Sequence, residues 1–487
     1  MPPDVRSPDP SRGSARDRVR RAFSGPGGVD EVLRISYPLV LSHMSFTIQT
    51  FVDRVFITWF SPEAVAGMVT GMFLSWSLIG LFLATGEYLT TFVAQYLGAG
   101  RPLRIGPAMW QGIYFSLLAG ALVAGLAPLV EPLFTWVGHA PAVREHEVRY
   151  AFPLLVGAFP FVLMGTLSSF FAGRGETLVV LKVNLLATGV NVVLDYLWIF
   201  GHLGFPRAGV AGAALATIVS QSIGASVLLA LMLRPEARRD FATGAGFRLD
   251  APLLARLLRF GLPAGLQMSL EILAFGVFLV IVGKIGTLEL AATGLAFNLN
   301  GLVFVPMIGL GIGVSSIVGR YLGAGSPATA ERSVYSALAL ALAYMSVCCA
   351  AYLLAPAQLL FPYRAGADPV SFPALERLAT VLLRFVALYS IFDMISLMCA
   401  SALRGAGDTA FAMRATLLLA LFAMLAPAYL ACTVLGGGVY TAWTFASAYV
   451  FLLGLLLLRR FRAGRWKTLR VIEELPSQLS FEADPVV

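Results

Sequence analysis

Apolar runs longer than about 18 residues follow one another along almost the whole chain, and each can cross a hydrocarbon core roughly 30 Å thick. They lie at Ile35 to Phe60, Val69 to Tyr96, Pro107 to Phe134, Ala151 to Ala172, Val179 to Phe200 and Val210 to Leu233. After a basic linker they resume at Leu258 to Val282, Leu290 to Val318, Val334 to Phe361, Leu378 to Leu403, Ala412 to Leu435 and Val439 to Leu458. Inside lipid, each backbone polar group must be satisfied within its own segment, which makes runs of this length helices. The reading is therefore an all-α integral membrane protein with about 12 transmembrane helices. The polar stretches near Glu145 and Asp368 are expected to be helical at their ends.

Composition excludes a soluble domain. Of 487 residues, 58% are hydrophobic and 13% charged, where a soluble chain carries roughly 25% charged residues. The net charge of +8 does not mark a nucleic-acid binder, because the basic residues sit beside the apolar runs and form no ridge with interleaved aromatics. Cys348, Cys349, Cys399 and Cys432 lie in apolar stretches without metal-ligand spacing and are read as small buried hydrophobes. Residues 1–30, with Arg16, Arg18, Arg20 and Arg21, read as a disordered tail. A cleavable signal needs an apolar core of about 7 to 15 residues, whereas the first run here is longer and holds Asp53 and Arg54, so it is read as a retained span.

Arg101, Arg104, Arg174, Lys182, Arg234, Arg238, Arg239, Arg256 and Arg259 fall at span ends on one side, as do Arg320, Arg332, Arg404, Arg414 and the tail from Arg459 to Arg470. The other side has fewer basic residues, chiefly Arg144, Arg149, Arg207, Lys284 and Arg364. The positive-inside rule then places both termini in the cytoplasm, in a cell (inner) membrane. The segment from Arg459 to Arg470 is expected to lie along the anionic inner leaflet, with Trp466 at headgroup level.

An internal repeat gives the architecture. Tyr96-Leu-Gly-Ala-Gly100-x-Pro102 recurs as Tyr321-Leu-Gly-Ala-Gly325-x-Pro327, an offset of 225 residues. The same offset pairs Arg34 and Pro38 with Arg259 and Pro263, and Gly86 with Gly311, while Gly175-Glu-Thr177 returns as Gly407-Asp-Thr409. Each half holds an even number of spans, so the halves share one orientation and are related by a pseudo-two-fold axis along the membrane normal. The domains are a cytoplasmic tail (1–30), an N-lobe (31–233), a cytoplasmic linker (234–256), a C-lobe (257–460) and a second tail (461–487) around a central cleft. Transporters commonly bind substrate at such a repeat interface and rock the lobes to alternate access. The alternative is a duplicated membrane domain without transport.

Chemistry must come from ionisable residues inside spans, which are expensive there and normally face a cavity or a partner. Asp53, Asp195, Glu271 and Asp393 stand out, each with a polar residue one turn earlier: Gln49, Asn191, Gln267 and Tyr389. A buried carboxylate of this kind suits proton exchange, sodium coordination or attraction of a cationic substrate, and it also suits a structural hydrogen bond or salt bridge. Glu87, Asn298, Asn300 and Thr217 are further cavity-lining or helix-packing candidates, while Arg54 and the lone His43 are read as structural. No phosphate-binding loop is present, so no nucleotide or other cofactor is expected.

These strings resemble the multidrug and toxic compound extrusion (MATE) family. The resemblance rests on Pro38 with FVDRVF, VAQYLGAG, AGRGET, NVVLDYLWIFG followed by GVAGAALAT, the series from LPAGLQMSLE through AATGLAFNLN to GRYLGAG, and SALRGAGDT. It covers nearly the whole chain outside residues 1–30 and the C-terminal end. It implies a two-lobe antiporter, monomeric and surrounded by membrane lipids, that exports small organic, often cationic, compounds in exchange for H+ or Na+. It further implies that Asp53, Asn191, Asp195 and Thr217 form an N-lobe cation site and that Glu271, Tyr389 and Asp393 form a C-lobe one. Carrying the acids of both lobes departs from branches that keep one set.

The rival classes are a flippase and an integral membrane enzyme. A flippase for lipid-linked sugars would need several basic residues in the cavity, and the spans offer little beyond Arg54 and Arg384. A membrane enzyme would need clustered ligands or a nucleophile with its base, and His43, His139, His146 and His202 form no such set.

Overall fold

The computed structural model describes residues 23–364 and 372–473, and every apolar run within them is helical. The Arg16 to Arg21 cluster, Asp368 and the chain beyond Glu473 lie outside the described residues.

The N-terminal half comprises α1 (Val29–Phe60), α2 (Ala64–Gly98), α3 (Pro102–Val137), α4 (Pro141–Val156 and Ala158–Arg174), α5 (Thr177–Phe200) and α6 (Val210–Met232). The second half comprises α7 (Ala251–Ile285), α8 (Thr287–Gly323), α9 (Pro327–Leu354), α10 (Phe372–Ala406), α11 (Thr409–Val434) and α12 (Val439–Arg462). Among the described residues, ten helices are long and apolar enough to cross a membrane, or eleven with the bent pair of α4 taken as one span. The more polar α1, at 32 residues, completes the set.

The departures from the sequence reading follow from proline. The two pieces of α4 meet at 51°, where Pro153 lies inside the first piece and Gly157 caps it on the Pro153 carbonyl. This helix begins at Pro141, so Glu145 is fully helical. The ninth span, expected to run to Phe361, ends at Leu354, and Pro356–Arg364 is a separate short helix. In α11 the ladder widens to π geometry over Ala420–Leu425 and Leu430–Val434, on either side of Pro427, whose ring removes a donor.

The halves meet as the repeat requires. α1 packs on α8, and α2 packs on α7 and α8. Val32 and Ile35 of α1 are buried in the core of the second lobe. Equivalent hydroxyls cross between the lobes: Thr91 donates to the Arg404 carbonyl at 3.4 Å, and Ser316 donates to the Ala172 carbonyl at 2.9 Å. Gln95 adds a bond to the Gly405 carbonyl at 3.0 Å and Tyr88 one to Arg404 at 3.0 Å. The bonds between the lobes cluster from the level of Ser77 and Ser269 to the end at which Glu31 and Glu473 lie, so that end is the sealed one.

One expectation is overturned. Trp466 is not an interfacial anchor: it is fully buried, stacks on Phe461 at 5.2 Å and donates to its carbonyl at 2.9 Å. A tryptophan with its N–H satisfied inside the protein gains more from packing than from the headgroup region. The segment after it leaves the second lobe and buries Val471 and Ile472 in the core of the first. In the linker, Pro235–Phe241 forms a short helix.

Candidate functional site

Each lobe holds a polar cluster where its hydrophobic core is interrupted. Along α5 the buried face reads Val183, Ala187, Asn191, Asp195, Ile199, one residue per turn. Along α1 it reads Ser42, Ser45, Gln49, Asp53, Ile57. The two faces pack together, so the polar residues of each stripe meet between an apolar layer nearer the sealed end and another toward the far end.

Asp53 and Asp195 thereby become neighbours, both buried. With its amide nitrogen turned toward them, Asn191 donates to Asp53 Oδ1 at 3.1 Å and to Asp195 Oδ2 at 3.2 Å. Thr217 of α6 lies 3.4 Å from the other end of that amide and donates its own proton to the Ala213 carbonyl at 2.9 Å. Asp195 Oδ1 is buried without a partner. Asp53, Gln49 and Thr217 line a cavity of about 20 Å³, which holds roughly one water-sized particle. One carboxylate, the Gln49 amide and the Thr217 hydroxyl face that volume, while Asp195 stands behind Asp53 on the shared Asn191 amide.

The C-lobe cluster is more open. Glu271 and Asp393 are half-buried and within electrostatic reach of one another. Gln267 Nε2 donates to Glu271 Oε1 at 3.1 Å. Tyr389 is buried beside Asp393 and stacks on Trp443 at 6.4 Å.

The weaker candidates scatter. Glu87 faces Arg404 of the other lobe near the sealed end. Asn298 is exposed and accepts from Tyr363 at 2.7 Å, which ties it to the short helix after α9. Asn300 is half-buried, with Oδ1 unpartnered. Four residues joined the clusters that sequence reasoning missed. Tyr150 and Ser75 line the N-lobe cavity, and Tyr150 faces both Asp53 and Asp195. Thr416, with an unpartnered buried hydroxyl, adjoins Glu271, and Tyr449 faces both C-lobe acids. Tyr150 lies one residue before the apolar run that opens at Ala151, in the more polar turns that carry the helix back to Pro141.

A helical membrane domain duplicated in parallel, sealed at one end and with an acidic cluster inside each lobe, is the build of a two-lobe transporter. The MatE family model matches residues 38–197 and 263–430, once in each half and in the register of the internal repeat, and the chain belongs to that family. Among curated relatives, the probable multidrug resistance protein NorM of Xanthomonas axonopodis pv. citri is 30% identical over 82% of this chain and 85% of its own length. The proteins of the same name from Burkholderia pseudomallei and Thermotoga maritima are 29% and 25% identical, over 80% and 91% of this chain and 82% and 94% of theirs. Among solved structures, a MOP superfamily transporter from Pyrococcus furiosus superposes with a TM-score of 0.81 at 21% identity, covering 92% of this chain and 98% of that one. A MATE family transporter described in an outward-facing conformation gives 0.81 at 22%, with the same coverage.

Proposed function

We propose that the chain is a secondary active antiporter that exports small organic, mainly cationic compounds in exchange for H+ or Na+. It works by alternating access, in a cell (inner) membrane with both termini in the cytoplasm. The observation that carries this reading is the Asp53–Asn191–Asp195 bridge inside one lobe, whose Asp53 borders a small polar cavity. The names of the relatives, multidrug resistance proteins, support export of drug-like compounds.

A proton or cation arriving from outside relieves the repulsion between the two carboxylates. It drives the lobes toward another arrangement only insofar as it binds the two arrangements with different affinity. Each charge moved inward contributes about 2.3 kcal/mol per 100 mV of membrane potential. The sealed end is the one that carries Glu31 and Glu473, so with that side facing the cytoplasm the conformation is closed toward the cytoplasm.

The test is transport by purified protein in liposomes, with ethidium moving against an imposed proton gradient, a sodium gradient or neither, for the wild type and Asp53→Asn. Gradient-driven movement lost in the variant supports the reading and names the ion. Folded protein that moves nothing under either gradient overturns it and favours a lipid-linked substrate.

A further inference from the structure

The repeated Tyr96 and Tyr321 reach across the sealed end in the same way. Tyr96 of the first lobe donates to Glu473 Oε2 at 2.6 Å, from the segment that follows the last helix. Tyr321 of the second lobe donates to Glu31 Oε2 at 2.8 Å, in the first turn of α1. Both glutamates lie at the edges of the membrane domain, and each is bonded to a tyrosine of the opposite lobe.

The surroundings show why the second glutamate comes from a tail. Glu31 is held by Arg320, next to Tyr321, and by the Gly27 N–H at 2.7 Å. In the other half, the place equivalent to Arg320 is taken by Gln95 and the place equivalent to Glu31 by Arg256. That repeat-related site has a tyrosine and a guanidinium, and no carboxylate stands in the place of Glu31. Glu473 supplies it: Oε2 meets Arg256 at 2.7 Å, and Oε1 meets Arg101 at 2.8 Å and Arg104 at 2.9 Å. The strap is fixed along its length by Lys467 on Glu331 at 2.7 Å, by Arg470 on the Leu322 carbonyl, and by the Val471 N–H on Gln95 Oε1 at 2.9 Å. The same Gln95 bonds the Gly405 carbonyl of the second lobe, so strap and lobe contact share one side chain.

We propose that Glu31 and Glu473 are paired latches that hold the two lobes shut at the sealed end, and that the strap from Trp466 to Glu473 is a working part of the alternating-access machinery. The proposal rests on the alternating-access reading above. Charge-assisted bonds of this kind are among the stronger polar contacts in proteins, and those of Glu473 to Tyr96, Arg101 and Arg104 and of Glu31 to Arg320 and Tyr321 must break if the lobes part here.

The experiment places spin labels at Leu103→Cys and Ala328→Cys, exposed and repeat-equivalent positions on the two lobes at the sealed end, after replacement of the four native cysteines. Distance distributions are measured on the full chain in liposomes. The wild type should show mainly the short distance. Glu473→Gln and Glu31→Gln should each raise the ratio of long to short distances about tenfold, as expected when a charged hydrogen-bond group is lost, and the double variant should raise it further. The swap Glu31→Arg with Arg320→Glu should restore the short distance. An unchanged distribution in the double variant overturns the proposal. If the charge variants fold poorly, Tyr96→Phe and Tyr321→Phe keep the packing and read the same equilibrium, and no shift in either overturns it equally. Distances that shift in a chain that does not transport would overturn the antiport reading alone, whereas intact transport with unmoved distances overturns the latches alone.

Discussion

Gly98 of α2 and Gly323 of α8 hold the same place in the two halves, and each lets its helix end lie against the backbone of the other. A Cβ at Gly98 would run into the Arg320 carbonyl, and one at Gly323 into the Gln95 carbonyl. The recurrence of Tyr-Leu-Gly-Ala-Gly thus has a packing cause, since neither backbone can yield without parting the lobes. Small residues at such contacts let membrane helices approach closely.

Gly98→Ala and Gly323→Ala are therefore expected to destabilise the sealed arrangement selectively. Overpacking of this kind costs about 1–3 kcal/mol, which lowers the sealed population relative to the open one by about fivefold to roughly a hundredfold. The melting temperature of the detergent-solubilised protein should fall little, because the lobe interiors are untouched. A spin-label distance at the sealed end identical to wild type, in folded protein, would show that the contact does not control closure.

Closure should also resist moderate acid. Burial works against the charged form of Glu473, but the Tyr96 hydroxyl, a backbone N–H and the Arg104 and Arg101 guanidiniums outweigh it and hold the carboxyl at about 2, below the ordinary 4.5. The charged groups around it are Arg101 from the turn after α2, Arg104 from the first turn of α3 and Arg256 from α7, with Asp250 3.6 Å beyond Arg104. A carboxyl depressed in the folded state stabilises it fully above its unfolded value and loses that contribution only as pH falls toward the folded one. The Glu473 contribution to the sealed-end distance should hold from pH 7 to about pH 5 and weaken only toward about 2. Opening of this end between pH 7 and 6, abolished by Glu473→Gln, would contradict that assignment.

How much of this was written locally in the chain differs from one feature to the next. The spans and their pairing were legible because apolar length and a motif with one offset are properties of short stretches. The meeting of Asp53 with Asp195 was half legible: each stripe can be read from its own helix period, but which helix packs on which cannot. The strap was not legible. Val471, Ile472 and Glu473 follow a run of arginines that reads as a leaflet contact, and their partners Gln95, Tyr96 and Arg101 lie more than 300 residues away in sequence. The bend in α4 was signalled by Pro153 and Gly157, yet a single proline in a membrane helix permits a kink without requiring one.

The two acidic clusters are expected to divide the work of transport. Asp53 and Asp195 are buried and share one amide, with Asp53 beside a small cavity, whereas Glu271 and Asp393 are half-buried and more accessible. Removing one charge from the closed pair takes away a charge-assisted contact of about 1.5–3 kcal/mol, a loss of more than about tenfold in ion affinity. Asp53→Asn and Asp195→Asn should then abolish the dependence of transport on the external ion. Glu271→Gln should raise the apparent KM for a cationic substrate while the rate still follows the ion gradient. Initial rates in liposomes, measured against external ion concentration at several substrate concentrations, separate the two effects. Loss of ion dependence in Glu271→Gln with its retention in Asp53→Asn would move the coupling site to the second lobe and leave the N-lobe bridge with a structural role.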